Sequence, residues 1–170
     1  MHNIIKFSLI IFLSGQLQIK NNNQIEEVEM NNEIITVTAT CIENDKCIYE
    51  GEDLFIKISI KNNLDKKIGF PLKYIQKKGP YIKLINKYTG VETNLKSSLA
   101  NWSLKRKFKT IRPGEFITID WVIFSNEIKA ISENIVDLTA EISIVAGIKL
   151  DKKIFETEGI GALHIVGKNQ

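Results

Sequence analysis

Hydrophobic and polar residues alternate strictly between Leu54 and Lys61, with Leu54, Ile56, Ile58 and Ile60 set against Phe55, Lys57, Ser59 and Lys61. A period of two sends the two sets to opposite faces of an extended chain, so the segment is predicted to be a half-buried β-strand. A second run, PGEFITIDWVIF from Pro113 to Phe124, predicts another strand. Five further stretches complete a series of strands over 33–40, 54–61, 81–86, 103–110, 116–124, 136–146 and 163–166. Turn chemistry separates them: Asn62 and Asn63 before Asp65, Lys78-Gly79-Pro80, Thr89-Gly90 and Arg112-Pro113-Gly114. Only residues 126–133 carry apolar positions at helical spacing, Ile128 and Ile131, with Ser125 as a possible N-cap.

Short strands at regular spacing define an all-β class, a sandwich or barrel, with one short helix between late strands. The series GEDLFIKISIKNNLDKKI, YIKLINKYTGVE and IRPGEFITIDWVI resembles the small bacterial immunoglobulin-like sandwiches, most closely the bacterial intracellular proteinase inhibitor type. The shared features fall on Gly51-Glu52, Asn62-Asn63, Thr89-Gly90, Pro113-Gly114-Glu115 and Trp121. The resemblance implies a single immunoglobulin-like antiparallel β-sandwich of about seven strands. In the alternating run, with Phe116 and Ile119 nearby, Trp121 is expected at a core position, as the buried Trp of such domains would be; strict alternation cannot place all three on one face, so either a bulge intervenes or both faces of the strand are covered. The resemblance carries over no inhibitory residue, because no Asp-Gly turn follows Trp121 and the strand at 136–146 lacks a Gly-x-Tyr start.

The N-terminus changes the picture by adding a compartment. Lys6 precedes an apolar run from Phe7 to Leu13 that closes on Ser14 and Gly15, the pattern of a secretory signal peptide. A short hydrophobic anchor and a buried first strand are the alternatives, and the run is too short to span a bilayer, which takes about 20 apolar residues. The expected organisation is a signal peptide or hydrophobic segment over 1–18, a polar and acidic lead-in over 19–32, and the sandwich over 33–170. The mature chain is thus expected outside the cytoplasm, with no transmembrane span. In that setting Cys41 and Cys47 would close a small disulfide loop; two free thiols or half a metal site are the other readings, and the two histidines of the chain make the metal reading the poorest.

Charge gives the only functional hint. From Lys57 to Arg112 the chain holds fifteen Lys and Arg against two acids, Asp65 and Glu92, within a net charge of only +3 overall. In SLKRKFKTIR, an extended conformation would put Lys105, Lys107 and Lys109 on one face, a candidate anion site with Trp102 beside it. The bland reading is a lysine-bearing edge that deters aggregation, or a field cancelled by the acidic segment from Glu26 to Asp53. Catalytic constellations are lacking: His164 sits in the apolar run ALHIV, no nucleophile or metal motif is present, and Gly159-Ile160-Gly161 reads as a bulge or close turn rather than a nucleotide loop. The expectation is a non-catalytic binding module without cofactor or metal, recognising a protein or an anionic polysaccharide rather than nucleic acid. Its alternatives are a structural accessory domain or a protease inhibitor acting through an exposed loop of Lys77, Lys78, Gly79, Pro80 and Tyr81.

Overall fold

The computed structural model describes residues 34–43, 46–132 and 135–168, so the signal-like segment 1–18 and the lead-in 19–32 lie outside the described residues. The chain is all-β, built as two sheets around one buried cluster of aliphatic side chains. In order it forms β1 (Ile35–Cys41), β2 (Ile48–Tyr49), β3 (Leu54–Asn62), β4 (Ile68–Phe70), α1 (Leu72–Lys78), β5 (Tyr81–Asn86) and β6 (Glu92–Asn94). A 3-10 helix (Trp102–Arg106) follows, then β7 (Lys109–Ile111), β8 (Phe116–Ile123), α2 (Ser125–Ile131), β9 (Asp137–Leu150) and β10 (Lys153–Gly167).

The smaller sheet is antiparallel, in the order β1, β3, β8. Its central strand keeps the alternation of the sequence: Leu54, Ile56, Ile58 and Ile60 are buried, while Phe55, Lys57 and Lys61 are exposed. In β8 the inward set is Ile117, Ile119, Trp121 and Ile123, with Ile119 and Ile123 fully covered. Strict alternation therefore holds without a bulge. Phe116 belongs to the opposite parity and stands on the outer face, 63% exposed, so the expected core grouping of Phe116 with Ile119 and Trp121 is corrected; Trp121 itself is half-buried.

The larger sheet centres on the β9–β10 hairpin, whose register runs from Lys153↔Leu150 to Val166↔Asp137. Its two-residue turn is Asp151-Lys152, and Asp151 takes φ 53°, a conformation tight hairpins require and Asp tolerates. Both strands exceed their predicted lengths. Along β9 the buried residues are Leu138, Ala140, Ile142, Ile144, Ala146 and Ile148, and the strand itself continues four residues past the predicted end. The other edge of β9 is shared: β5 pairs with Leu138 to Ser143 and carries β6, while β4 meets Lys149 and carries β7. β2 adds to β10 in parallel. With these short strands the described residues form ten strands rather than about seven.

The sheets touch most closely where β1 crosses β10. A Cβ on Gly161 would lie 2.6 Å from the Val37 carbonyl oxygen, and one on Gly159 2.7 Å from a Val37 methyl. Both glycines lie inside the long β10, continuously paired with β9, so they mark neither a bulge nor a turn before the last strand. Their lack of side chains lets another backbone approach.

α1 joins two strands of the larger sheet, whereas α2 and the disulfide loop run from the smaller sheet to the larger one. α1 is made of strong helix formers, Leu-Lys-Tyr-Ile-Gln-Lys-Lys, buries Tyr74 and Ile75, and ends at Gly79, whose N–H donates to Ile75 O at 2.8 Å. α2 matches its predicted place, beginning one residue earlier, with Phe124 at the N-cap position and its N–H bonded to the Glu127 carboxylate. The Cys41–Cys47 disulfide closes the loop between β1 and β2, with the two Cα atoms 5.3 Å apart. None of the helices among the described residues is long and apolar enough to cross a membrane.

Candidate functional site: an aromatic and cationic cleft

The segment from Ser103 to Thr110 is not the predicted strand. Asn101 accepts a hydrogen bond from Ser103 N through its side chain at 2.9 Å, Leu104 N donates to Asn101 O at 3.0 Å, and Lys107 N donates to Leu104 O at 3.1 Å. These i→i+3 bonds wind the chain into one 3-10 turn, and half-buried Leu104 anchors it to the core. The lysine row is thereby broken. Lys105 lies within the turn, Lys107 caps its C-terminal end, and Lys109 opens the edge strand β7 opposite Phe70. Lys107 and Lys109 are exposed and line none of the cleft described next.

What the fold builds instead joins two residues of one predicted set to two of the other. Trp102 and Lys105 from the 3-10 helix face Lys78 and Tyr81 from the end of α1 and the start of β5, across a cleft of about 420 Å³. Tyr74, Pro71 and Arg106 complete its walls. Its floor is part of the larger sheet, from Val145, Ala146 and Gly147 on β9 and Ile154 on β10, with Glu156 at the side. The β9–β10 register explains this floor, because Gly147 stands opposite Glu156 and Lys149 opposite Ile154 on the outward face.

Within the cleft the cations lie against rings. Lys105 Nζ sits 3.7 Å from the centroid of the Trp102 ring and 5.1 Å from that of Tyr74. Lys78 Nζ lies 4.0 Å from the Tyr81 centroid and donates a hydrogen bond to the Tyr81 hydroxyl. Such contacts position an ammonium without neutralising it. Among the described residues no carboxylate forms an ion pair with Lys78, Lys105 or Arg106. Elsewhere in the protein lysines are matched by acids: Lys83 lies 3.6 Å from Glu92 and 3.5 Å from Glu141, and Lys168 2.9 Å from Glu50. Trp102 remains 75% exposed beside the cleft.

Other expectations resolve individually. Gly79 and Pro80 are buried and Lys77 and Lys78 form the last turn of α1, so residues 77–81 do not stand out as a free loop; packing of Gly79 under Trp121 is the physical reason. The described part of the acidic segment, Glu43, Glu50, Glu52 and Asp53, lines a separate concavity rather than the cleft. His164 is exposed on β10, its Nε2 2.7 Å from Asp137 Oδ1 and 3.4 Å from Lys87 Nζ. Arg106 went unassigned in the sequence, while Tyr74, with Trp102, Tyr81 and Tyr88, counts among the aromatics of the basic block that the sequence offers for a binding platform. The Gly79-Pro80 pair behind LKYIQKK signals the end of a helix and could have placed Tyr74 there.

The fold and the cleft define a class, an all-β sandwich bearing an aromatic, cationic groove on an outer face. No family model matches the chain, and no curated protein matches it. Among solved structures, one titled "X-ray structure of Northeast Structural Genomics Consortium target SoR45" is similar over 79% of this chain and 85% of its own, at 10% identity and a TM-score of 0.39.

Proposed function

We propose that this chain is a non-catalytic binding module of immunoglobulin-like type that works outside the cytoplasm and holds an acidic carbohydrate in the cleft between α1 and the 3-10 helix. The observation that carries the reading is the set of three cations, Lys78, Lys105 and Arg106, which have no acidic ion-pair partner among the described residues and are placed among three aromatic rings over a floor of Val145, Ala146, Gly147 and Ile154 with Glu156 at its side. A sugar ring has an apolar C–H face that packs on Trp102 or Tyr81, while a carboxylate or sulfate on the ring takes up the ammonium groups. Extracytoplasmic location is supported by the Cys41–Cys47 disulfide, since such bonds persist in oxidising compartments, and by the signal-like segment at the N-terminus.

The test is retention of the full chain on immobilised acidic polysaccharide across a salt series. Retention that weakens with salt is expected, with a loss of about fivefold on Trp102→Ala or Lys105→Ala, matching roughly 1 kcal/mol for each cation–π or stacking contact. A Lys107→Ala/Lys109→Ala double variant should retain most of the binding. Equal loss in both sets of variants would mean diffuse attraction to a basic surface, and the cleft reading would fall.

A further inference from the structure

We propose that two copies of this chain pair antiparallel through β8, edge to edge, with Ile119 on the two-fold axis. The inference stands on β8 alone and is independent of the cleft. β8 pairs with β3 on one side, and among the described residues no strand covers its other side. Natural sheets blunt such edges with short strands, bulges, lysines or prolines. The larger sheet does so, ending on the short strands β2, β6 and β7. β8 uses none of these devices: its sequence FITIDWVI contains a single charge, Asp120, and its register with β3 is unbroken from Leu54↔Ile123 to Lys61↔Phe116. Even the inward residues Ile117 and Trp121 keep partial exposure, as an uncovered edge implies.

The occupant follows from the pattern of side chains. In an antiparallel pair, directly opposed residues share a face, so a two-fold on Ile119 sets Phe116 against Val122 of the second copy, Thr118 against Asp120, and Ile117 against Trp121. Because Val122 is already opposite Phe55 in its own sheet, the outer surface gains a continuous row of Phe55, Val122 and the other copy's Phe116. Phe55 is 47% and Phe116 63% exposed in the single chain, at opposite ends of the β3–β8 pair, and only a two-fold brings them into one row. The neighbouring row is polar throughout: Lys57, Asp120, then Thr118 and Ser59 of the second copy. Moving the axis to Asp120 would oppose two carboxylates, and a slip by one residue would bring outward polar residues against inward apolar ones. The edge is thus complementary to itself in one register, as an isologous interface requires.

Sedimentation equilibrium of the full chain over a concentration series tests this. A mass rising from one chain to two is expected, and Val122→Lys, which sets an ammonium against Phe116 of the second copy, should raise the dimer dissociation constant about tenfold or more. The unfolding midpoint of that variant at dilute concentration should fall only slightly, by no more than the loss of its cross-strand pair with Phe55 entails, because position 122 is on the outward face. Register is read separately with a short thiol cross-linker: a mixture of Thr118→Cys and Asp120→Cys chains should link between copies, and neither variant alone. A one-chain mass at every concentration, a dimer insensitive to Val122→Lys, or linking by Asp120→Cys alone overturns the proposal.

Discussion

Trp121 fills the space into which a side chain on Gly79 would grow: a Cβ there would lie 2.4 Å from its ring. The ring comes from β8 in the smaller sheet and the glycine from the end of α1, attached to the larger one. This contact locks the α1–β5 corner and with it Lys78 and Tyr81 of the cleft. Rigid placement of these groups, rather than a free loop, is what the fold provides.

Gly79→Ala should therefore destabilise the protein by about 3 kcal/mol, combining backbone strain with displacement of the ring. Gly79 has φ 83° and ψ 166°, a region essentially reserved for glycine. Gly90→Ala is the comparison, since Gly90 also has positive φ but nothing lies within 4 Å of its would-be Cβ; its cost should stay near 1–2 kcal/mol. Chemical denaturation of the two variants checks the difference, and equal midpoints would remove the steric argument.

Asn62 is a buried polar residue whose bonds are all made within the protein. Its side-chain amide donates to Lys66 O at 2.8 Å and Ile111 O at 3.2 Å, while its Oδ1 accepts from Leu64 N at 3.0 Å. One side chain thus closes the β3–β4 turn and fastens it to the end of β7. Asn62→Ala should cost about 2–3 kcal/mol through the carbonyls left without donors. Asn62→Asp should cost more at neutral pH, since it keeps the acceptor for Leu64 but turns a carboxylate toward two carbonyl oxygens. An aspartate variant as stable as the wild type would contradict this account.

The disulfide holds the loop that leads into β2, and β2 is a two-residue strand added to the end of β10. Val166 N donates to Cys47 O at 3.3 Å, so the bridge and the pairing sit side by side. Replacing both cysteines by serine should lower stability by about 2 kcal/mol, the scale expected for a short closed loop. Amide exchange should accelerate at Ile48 and Tyr49 while the centre of β9 stays protected. An unfolding midpoint indifferent to reductant would show that the bridge adds nothing to stability.

The alternation of β3 and β8 was legible because each strand has one face on the core, and solvent contrast writes itself into the sequence with period two. β5 was equally clear, matching its predicted span from Tyr81 to Asn86. The β9–β10 hairpin was underestimated at Gly147, Gly159 and Gly161, where small residues interrupt the hydrophobic signal while the backbone remains paired. The lysine row at 105, 107 and 109 misled for the opposite reason. Its period of two came from exposed residues, which carry no burial constraint, and a capping Asn101 and an anchoring Leu104 decided the local conformation.

By itself the sequence determined the all-β class, the positions of the central strands and the residue types, aromatic and cationic, of the cleft, and it offered the Cys41–Cys47 bridge as one of three readings that the structure resolved. These depend on local alternation, turn chemistry and composition. Only the tertiary structure decided which aromatics and which cations meet. Lys78 and Lys105 are separated by β5, β6 and a long connection, and they reach one cleft because α1 and the 3-10 helix both return over the same stretch of β9 and β10. Such long-range placement follows from how sheets pack, and no local period along the chain encodes it.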